Sequence, residues 1–271
     1  MRIFRELLLL LAFFALVAGG VYSIWRFWPS HKGNPSSPSH DDTTILVSAE
    51  GKLRELMRKE LVVDAVRDPA VTDVVKRIQE RLAPATGKAP YPIEVYVIDS
   101  PTINAVCMPG GLIVVYSGLL RRLEAPEELA AIIAHESAHA VHRDSMHALE
   151  REIGIAALFT LAGGRSDALT TRLIRRLIGS GFSRQQESDA DADAERVLGA
   201  SDIDPGMMAE ALRRIRQSDD SDPAVLQYLN THPDIEGRIK TSEALSAAWK
   251  GKARPIEADW KKLRAEFRLI K

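Results

Sequence analysis

His135-Glu136-Ser137-Ala138-His139 sets two imidazoles four residues apart with a carboxylate between them. At about 3.6 residues per turn, positions i and i+4 share one face of a helix, so both rings can reach a single ion. The pattern is H-E-x-x-H, that of zinc hydrolases. It also puts Glu136 at the same cleft, where it can take a proton from a water polarised by the metal. The preceding run, Glu127-Glu128-Leu129-Ala130-Ala131-Ile132-Ile133-Ala134, favours a helix, with Pro126 at its first turn and acidic residues that complement the N-terminal dipole. A helix through the motif is expected.

Two ligands leave a catalytic zinc site incomplete, since such sites take three protein ligands and keep one position open. The metzincin arrangement is excluded, because His142 and Ser145 stand where it needs Gly and His. His142 shares the helix face of His135 and His139, but one straight helix does not readily wrap three side chains around a tetrahedral ion. It reads as a supporting or surface residue. The third ligand is expected downstream, in Ser183-Arg184-Gln185-Gln186-Glu187-Ser188-Asp189-Ala190-Asp191, the opening of another helix that ends near Leu198. Glu187 and Asp191 are again i and i+4. Glu187 can ligate while Asp191 reaches the outward nitrogen of a ligating histidine and fixes its tautomer. Asp189 and Asp193 read as a solvated face.

These residues resemble the HtpX-like and CAAX-prenyl-protease-like gluzincin metallopeptidases, a family with BepA-type and Oma-type relatives. Further pieces fall in the family's order: Asn104-Ala105 leading into Pro109-Gly110-Gly111, Gly118-Leu119-Leu120, Ser183-Arg184 with Glu187 and Ala190-Asp191, and Thr231-His232-Pro233 followed by Arg238. The resemblance implies a mainly helical α+β zincin-like domain, one zinc ion per chain and polypeptide substrates. It also implies that His232 steadies the oxyanion or caps the metal, that Arg238 anchors its segment through a carboxylate, and that a sheet edge lies beside the motif helix. On that edge, near Asn104, Ala105, Pro109, Gly110 and Gly111, a substrate peptide would add as a strand. Val106-Cys107-Met108 and Asp189 depart from the family's pattern, which bears on subsite preference.

The residues support a hairpin independently. Ile93-Glu94-Val95-Tyr96-Val97-Ile98 and Leu112-Ile113-Val114-Val115-Tyr116 are β-branched and aromatic runs, and Pro109-Gly110-Gly111 supplies turn chemistry. Strand addition gives main-chain affinity with little side-chain selectivity.

At the N-terminus, residues 7–24 form an uncharged apolar run long enough to span a bilayer as a helix. Trp25, Phe27 and Trp28 suit a membrane interface, and Arg2 and Arg5 suit a cytoplasmic start. An uncleaved signal anchor over residues 1–28 is the preferred reading. A signal peptide cut near Val17-Ala18-Gly19-Gly20 is the competing one. Residues 29–44, rich in Pro and Ser, read as a flexible linker, and residues 45–271 as one metallopeptidase domain in the periplasm or an equivalent space.

With 36 basic and 37 acidic side chains the chain carries no electrostatic footprint for nucleic acid. Arg172, Arg175, Arg176 and Arg184 read as a solvated face or as partners of the acidic residues 189–195. The single cysteine, Cys107, forms no intrachain disulfide and reads as a buried inert thiol. Further helices are expected over 52–66, 69–82, 204–217, 233–249 and 255–269, and residues 153–164 as a buried apolar helix or a lip over the cleft. No 34-residue repeat follows the motifs, so no tetratricopeptide extension is expected.

Overall fold

The computed structural model describes residues 40–152, 181–216 and 228–268. The chain divides into two units after Thr43, and the fold below is that of the second, from Thr44 onward. The proposed anchor at residues 1–28, the linker as far as residue 39, the apolar stretch 153–164 and Arg172, Arg175 and Arg176 lie outside the described residues. Among those described, no helix is long and apolar enough to cross a membrane.

Two helices come first, α1 (His40–Asp64) and α2 (Pro69–Leu82). Three short strands follow, β1 (Glu94–Ile98), β2 (Ala105–Met108) and β3 (Leu112–Tyr116). Next are α3 (Ser117–Arg122) and α4 (Pro126–His142), which carries the H-E-x-x-H motif. Beyond residue 180 come α5 (Arg184–Ala200), α6 (Met207–Arg216), α7 (Ile235–Ala248) and α8 (Trp260–Arg268). The mainly helical α+β class read from the sequence is borne out.

Local chemistry sets several of these boundaries. Asp68 caps α2 by accepting from the Ala70 amide at 2.8 Å, and Pro69 occupies the first turn. Val71, Val74, Val75, Ile78 and Leu82 then recur at helical spacing and are all buried. Ser183 caps α5 and forms a reciprocal capping box with Gln186. The last helix starts at Trp260 rather than Pro255. The stretch before it is used for docking: the Ile256 amide donates to the Glu127 carboxylate at 2.6 Å, and the Trp260 indole donates to the Leu123 carbonyl at 3.1 Å. Helix α1 begins at His40, well before residue 52 and inside the stretch read as linker.

The sheet has the order β1-β3-β2, with β1 parallel and β2 antiparallel to β3. Alternation along the strands sends Ile113, Val115, Ala105 and Val97 into the main core with α2 to α6. Leu112, Val114, Val106 and Met108 pack on the other face against Leu53 and Met57 of α1, with Met146 and Leu149. Because both faces are covered, β3 reads as a continuous apolar run rather than an alternating one. Helix α4 is buried on nearly all sides, from Pro126 to Ala140 except Glu127. It packs against β2, α2, α5 and α6, so the motif lies at the centre of the unit beside edge strand β2.

Candidate metal centre

Three side chains from two helices converge on one point. His135 Nε2 and His139 Nε2 are 3.1 Å apart. Glu187 from α5 brings one oxygen to 3.4 Å from His139 Nε2 and the other to 3.6 Å from His135 Nε2. A tetrahedral ion bonded at about 2.0–2.1 Å spaces its ligand atoms by about 3.3–3.4 Å, and each of these separations is close to that spacing. His232 joins the group, whose four ligand atoms lie within 4.8 Å of one another.

The outward nitrogens of both motif histidines are engaged by carboxylates. His135 Nδ1 lies 2.9 Å from Asp191 Oδ1, and His139 Nδ1 lies 2.8 Å from Asp144 Oδ2. Donation from Nδ1 leaves each Nε2 lone pair free to face the common point. Arg238 grips Asp191 with two bonds of 2.7 Å, from Nε and Nη2, and its Nη1 lies 2.7 Å from Glu187. One guanidinium thereby fixes both acidic residues of α5 that face the site. Asp144 in turn accepts from Gln186 Nε2 at 2.7 Å, which ties it to the first turn of α5.

These contacts tune the charges. Burial and the Arg238 guanidinium lower the His135 pKa, which favours the neutral ring a metal needs. Burial also disfavours charge on His139, but the hydrogen bonds to Asp144 and Glu187 outweigh it and carry this ring up to about 9. Asp191 is held at about 2 against its burial, by the His135 hydrogen bond and the Arg238 charge. Glu187 lies well below the usual carboxylate range, also against burial, through the histidines around it. The acid positions of the site are therefore held as carboxylates, the form that binds a cation.

Glu136 is fully buried, and neither carboxylate oxygen has a hydrogen-bond partner among the described residues. His232 Nε2 lies 3.6 Å from Glu136 Oε1, and His232 Nδ1 is 3.1 Å from Glu187 Oε1. A buried carboxylate without partners is costly unless the site supplies a proton donor. This orphaned group, next to three correctly spaced donors, fits a hydrolytic zinc centre.

The remaining residues singled out in the sequence have distinct places. Pro109, Gly110 and Gly111 form the β2–β3 turn, with both glycines at positive φ, 80° and 75°. The Tyr116 amide donates to the Asn104 carbonyl at 3.1 Å. By alternation, the backbone groups of Ala105 and Cys107 therefore face away from β3 toward the open edge. The Ser145 hydroxyl occupies the Cys107 carbonyl. Asn104 is fully buried, its Oδ1 accepting from the Ala105 amide at 2.9 Å and its Nδ2 donating to Thr231 at 3.4 Å. His142 stays outside the cluster and meets Asp193 at 2.8 Å. Cys107 is buried, and burial pushes its thiol well up.

Sequence reading missed Asp144, Gln186 and the aromatic supports. Phe182 stacks on His139 at 3.9 Å between ring centroids, and Tyr228 lies tilted against His232 at 4.7 Å. Asp144 has one local signal, an acidic residue just past the end of the motif helix. The aromatic contacts have none.

The family model of peptidase family M48 matches residues 69–246, most of the described unit. The chain belongs to peptidase family M48. This M48 chain is 30% identical over 173 residues to the mitochondrial metalloendopeptidase OMA1 of Schizosaccharomyces pombe, covering 62% of the chain and 51% of that protein. It is 26% identical over 218 residues to the beta-barrel assembly-enhancing protease of Yersinia pestis, covering 76% and 44%. The Escherichia coli protein of that name is 25% identical over 220 residues, covering 76% and 45%. The M48 chain thus spans about half the length of these relatives.

Proposed function

We propose that this chain is a zinc-dependent metalloendopeptidase, anchored in a membrane by residues 1–28 and joined through a linker over residues 29–44, whose last residues open α1, to a catalytic domain over 45–271 outside the cytoplasm. The observation that carries the reading is the convergence of His135, His139 and Glu187 beside the orphaned carboxylate of Glu136.

Zinc held by those three residues supplies Lewis-acid polarisation of a water and of the scissile carbonyl, bringing the water's pKa toward ~7. Glu136 takes the proton of the attacking water and delivers it to the amide nitrogen as the C–N bond breaks. Its burial keeps that transfer between water and substrate, away from bulk solvent. His232 donates toward the oxygen on which negative charge develops. Asp191 and Asp144 keep the two rings in the required tautomer, and Arg238 keeps Asp191 and Glu187 in place.

The peptide runs along β2. The outward carbonyl of Ala105 offers main-chain pairing, its amide being held by the Asn104 side chain, while Pro109, Gly110 and Gly111 shape the turn. Relatives named as a mitochondrial metalloendopeptidase and a beta-barrel assembly-enhancing protease support misfolded or misassembled envelope proteins as the substrate class. The test is hydrolysis of casein by the purified chain, lost on chelation and restored by zinc. Cleavage insensitive to a chelator that strips the metal contradicts the proposal.

A second reading has one observation in its favour. His232 lies close enough to serve as a fourth ligand, which would make the protein a latent quality-control or chaperone-like module with a capped zinc. Bound zinc without cleavage, relieved by His232→Ala, is its signature.

A further inference from the structure

Helix α4 ends at Arg143, a non-glycine residue in the left-handed region with φ 57° and ψ 30°. L side chains adopt that conformation rarely. Here it reverses the chain within one residue, so that Asp144 returns to His139 Nδ1. Residues 143–145 are all engaged: Asp144 orients a motif histidine, Ser145 donates to the Cys107 carbonyl on the outward edge of β2, and Arg143 reaches back to α1.

The partner on α1 is Glu50, which is 2% exposed. One of its oxygens accepts from Arg143 Nε at 2.9 Å and Nη2 at 2.6 Å. The other accepts from the Gly110 amide at 2.9 Å, in the β2–β3 turn. Arg54, one turn further along α1, donates to the Gly110 carbonyl and lies 2.5 Å from Glu94 on β1. Both backbone polar groups of Gly110 are thus held by one helix. With φ at 80° and the Cβ of an added side chain 2.5 Å from Arg54 Cβ, only glycine fits there.

We propose, on the basis of the peptidase reading, that Glu50 is a positioning residue for peptide-bond hydrolysis. It locks the left-handed turn at Arg143, which sets Asp144 on His139, and it fixes the height of the β2 edge relative to the zinc-binding residues. A single buried carboxylate from α1 therefore controls both the metal's second histidine and the substrate strand.

Full-length protein decides it, with zinc release to a chelator, kcat and KM on short and long peptides, and melting midpoint measured on each variant. Arg143→Gly keeps the left-handed turn but loses the bonds to Glu50, so it is expected to release zinc several-fold faster than wild type, and Arg143→Ala, which also strains the turn, about 10-fold faster or more; wild-type release from Arg143→Gly overturns the lock by Glu50. Glu50→Ala is expected to raise KM for long peptides by about 10-fold with a smaller change for short ones, because strand pairing contributes only to the former. Glu50→Gln keeps an acceptor for the Gly110 amide and restores most of that KM. Equal zinc release from Arg143→Gly and Arg143→Ala overturns the role of the turn. Wild-type KM and zinc release in a folded Glu50→Ala protein overturn the proposal as a whole. If Glu50→Ala does not fold, the Arg143 pair and Glu50→Gln still decide. If the wild type binds zinc but cleaves nothing, the peptidase reading fails, whereas the zinc-release comparison still tests the clamp.

Discussion

His135 Nδ1 lies 2.9 Å from Asp191 Oδ1, and that carboxylate is itself held by Nε and Nη2 of Arg238. The ring is therefore fixed in the tautomer that presents Nε2 to Glu187 and His139. Asp191→Asn keeps the shape but weakens the acceptor and leaves Arg238 with less counter-charge. Zinc affinity, measured by competition with a chromogenic chelator, is expected to fall about 10- to 100-fold. Unchanged affinity would mean that the pair is only structural.

His232 faces both Glu136 and Glu187. Its replacement by Ala is expected to lower kcat about 100-fold with zinc retained, as when an oxyanion donor is removed. Steady-state kinetics on a peptide substrate check this. A rise in activity would point instead to a capped resting site.

Glu195 provides the pH handle. It is 4% exposed, one oxygen has no partner among the described residues, and burial together with nearby Asp191 pushes its carboxyl up to about 7. Between its unfolded value near 4.5 and about 7, the folded state binds this proton more tightly. Stability from the group is then fully present below 4.5 and lost as pH rises through about 7. Glu195→Gln is expected to match wild type at pH 4.5 and to exceed it by on the order of 2 kcal/mol at pH 8. Denaturant unfolding at the two values reads the difference, and a pH-independent gap would contradict the assignment.

Gly118 explains part of the Gly118-Leu119-Leu120 signature. A Cβ there would stand 2.3 Å from the carbonyl oxygens of Pro101 and Thr102, which are backbone atoms unable to swing aside. Gly118→Ala is expected to cost about 3 kcal/mol or more, lowering the melting midpoint by several degrees. A midpoint within a degree of wild type would contradict this close packing.

Legibility followed the range of each interaction. Helix α4 and the pairing of Glu187 with Asp191 were readable because helical spacing is local and the chemistry of the side chains is explicit. Helix α2 was readable to the residue, since Asp68-Pro69 starts it and five apolar positions repeat along it. Strand β2 was not, because all four of its residues are buried and no alternation marks them. Asp144 was hidden because its role depends on the left-handed turn at Arg143. Glu50 was hidden more deeply still: its partner lies 93 residues away, and nothing in α1 distinguishes it from a surface glutamate.

The most direct test of the account is Glu136→Gln, with zinc content and casein cleavage measured on the same preparation. The substitution removes the base while leaving His135, His139 and Glu187 intact. One zinc per chain with cleavage reduced at least ~1000-fold is the expected result. Cleavage that is undiminished and still zinc-dependent in the mutant would show that Glu136 is not the proton carrier and that the centre works in another way.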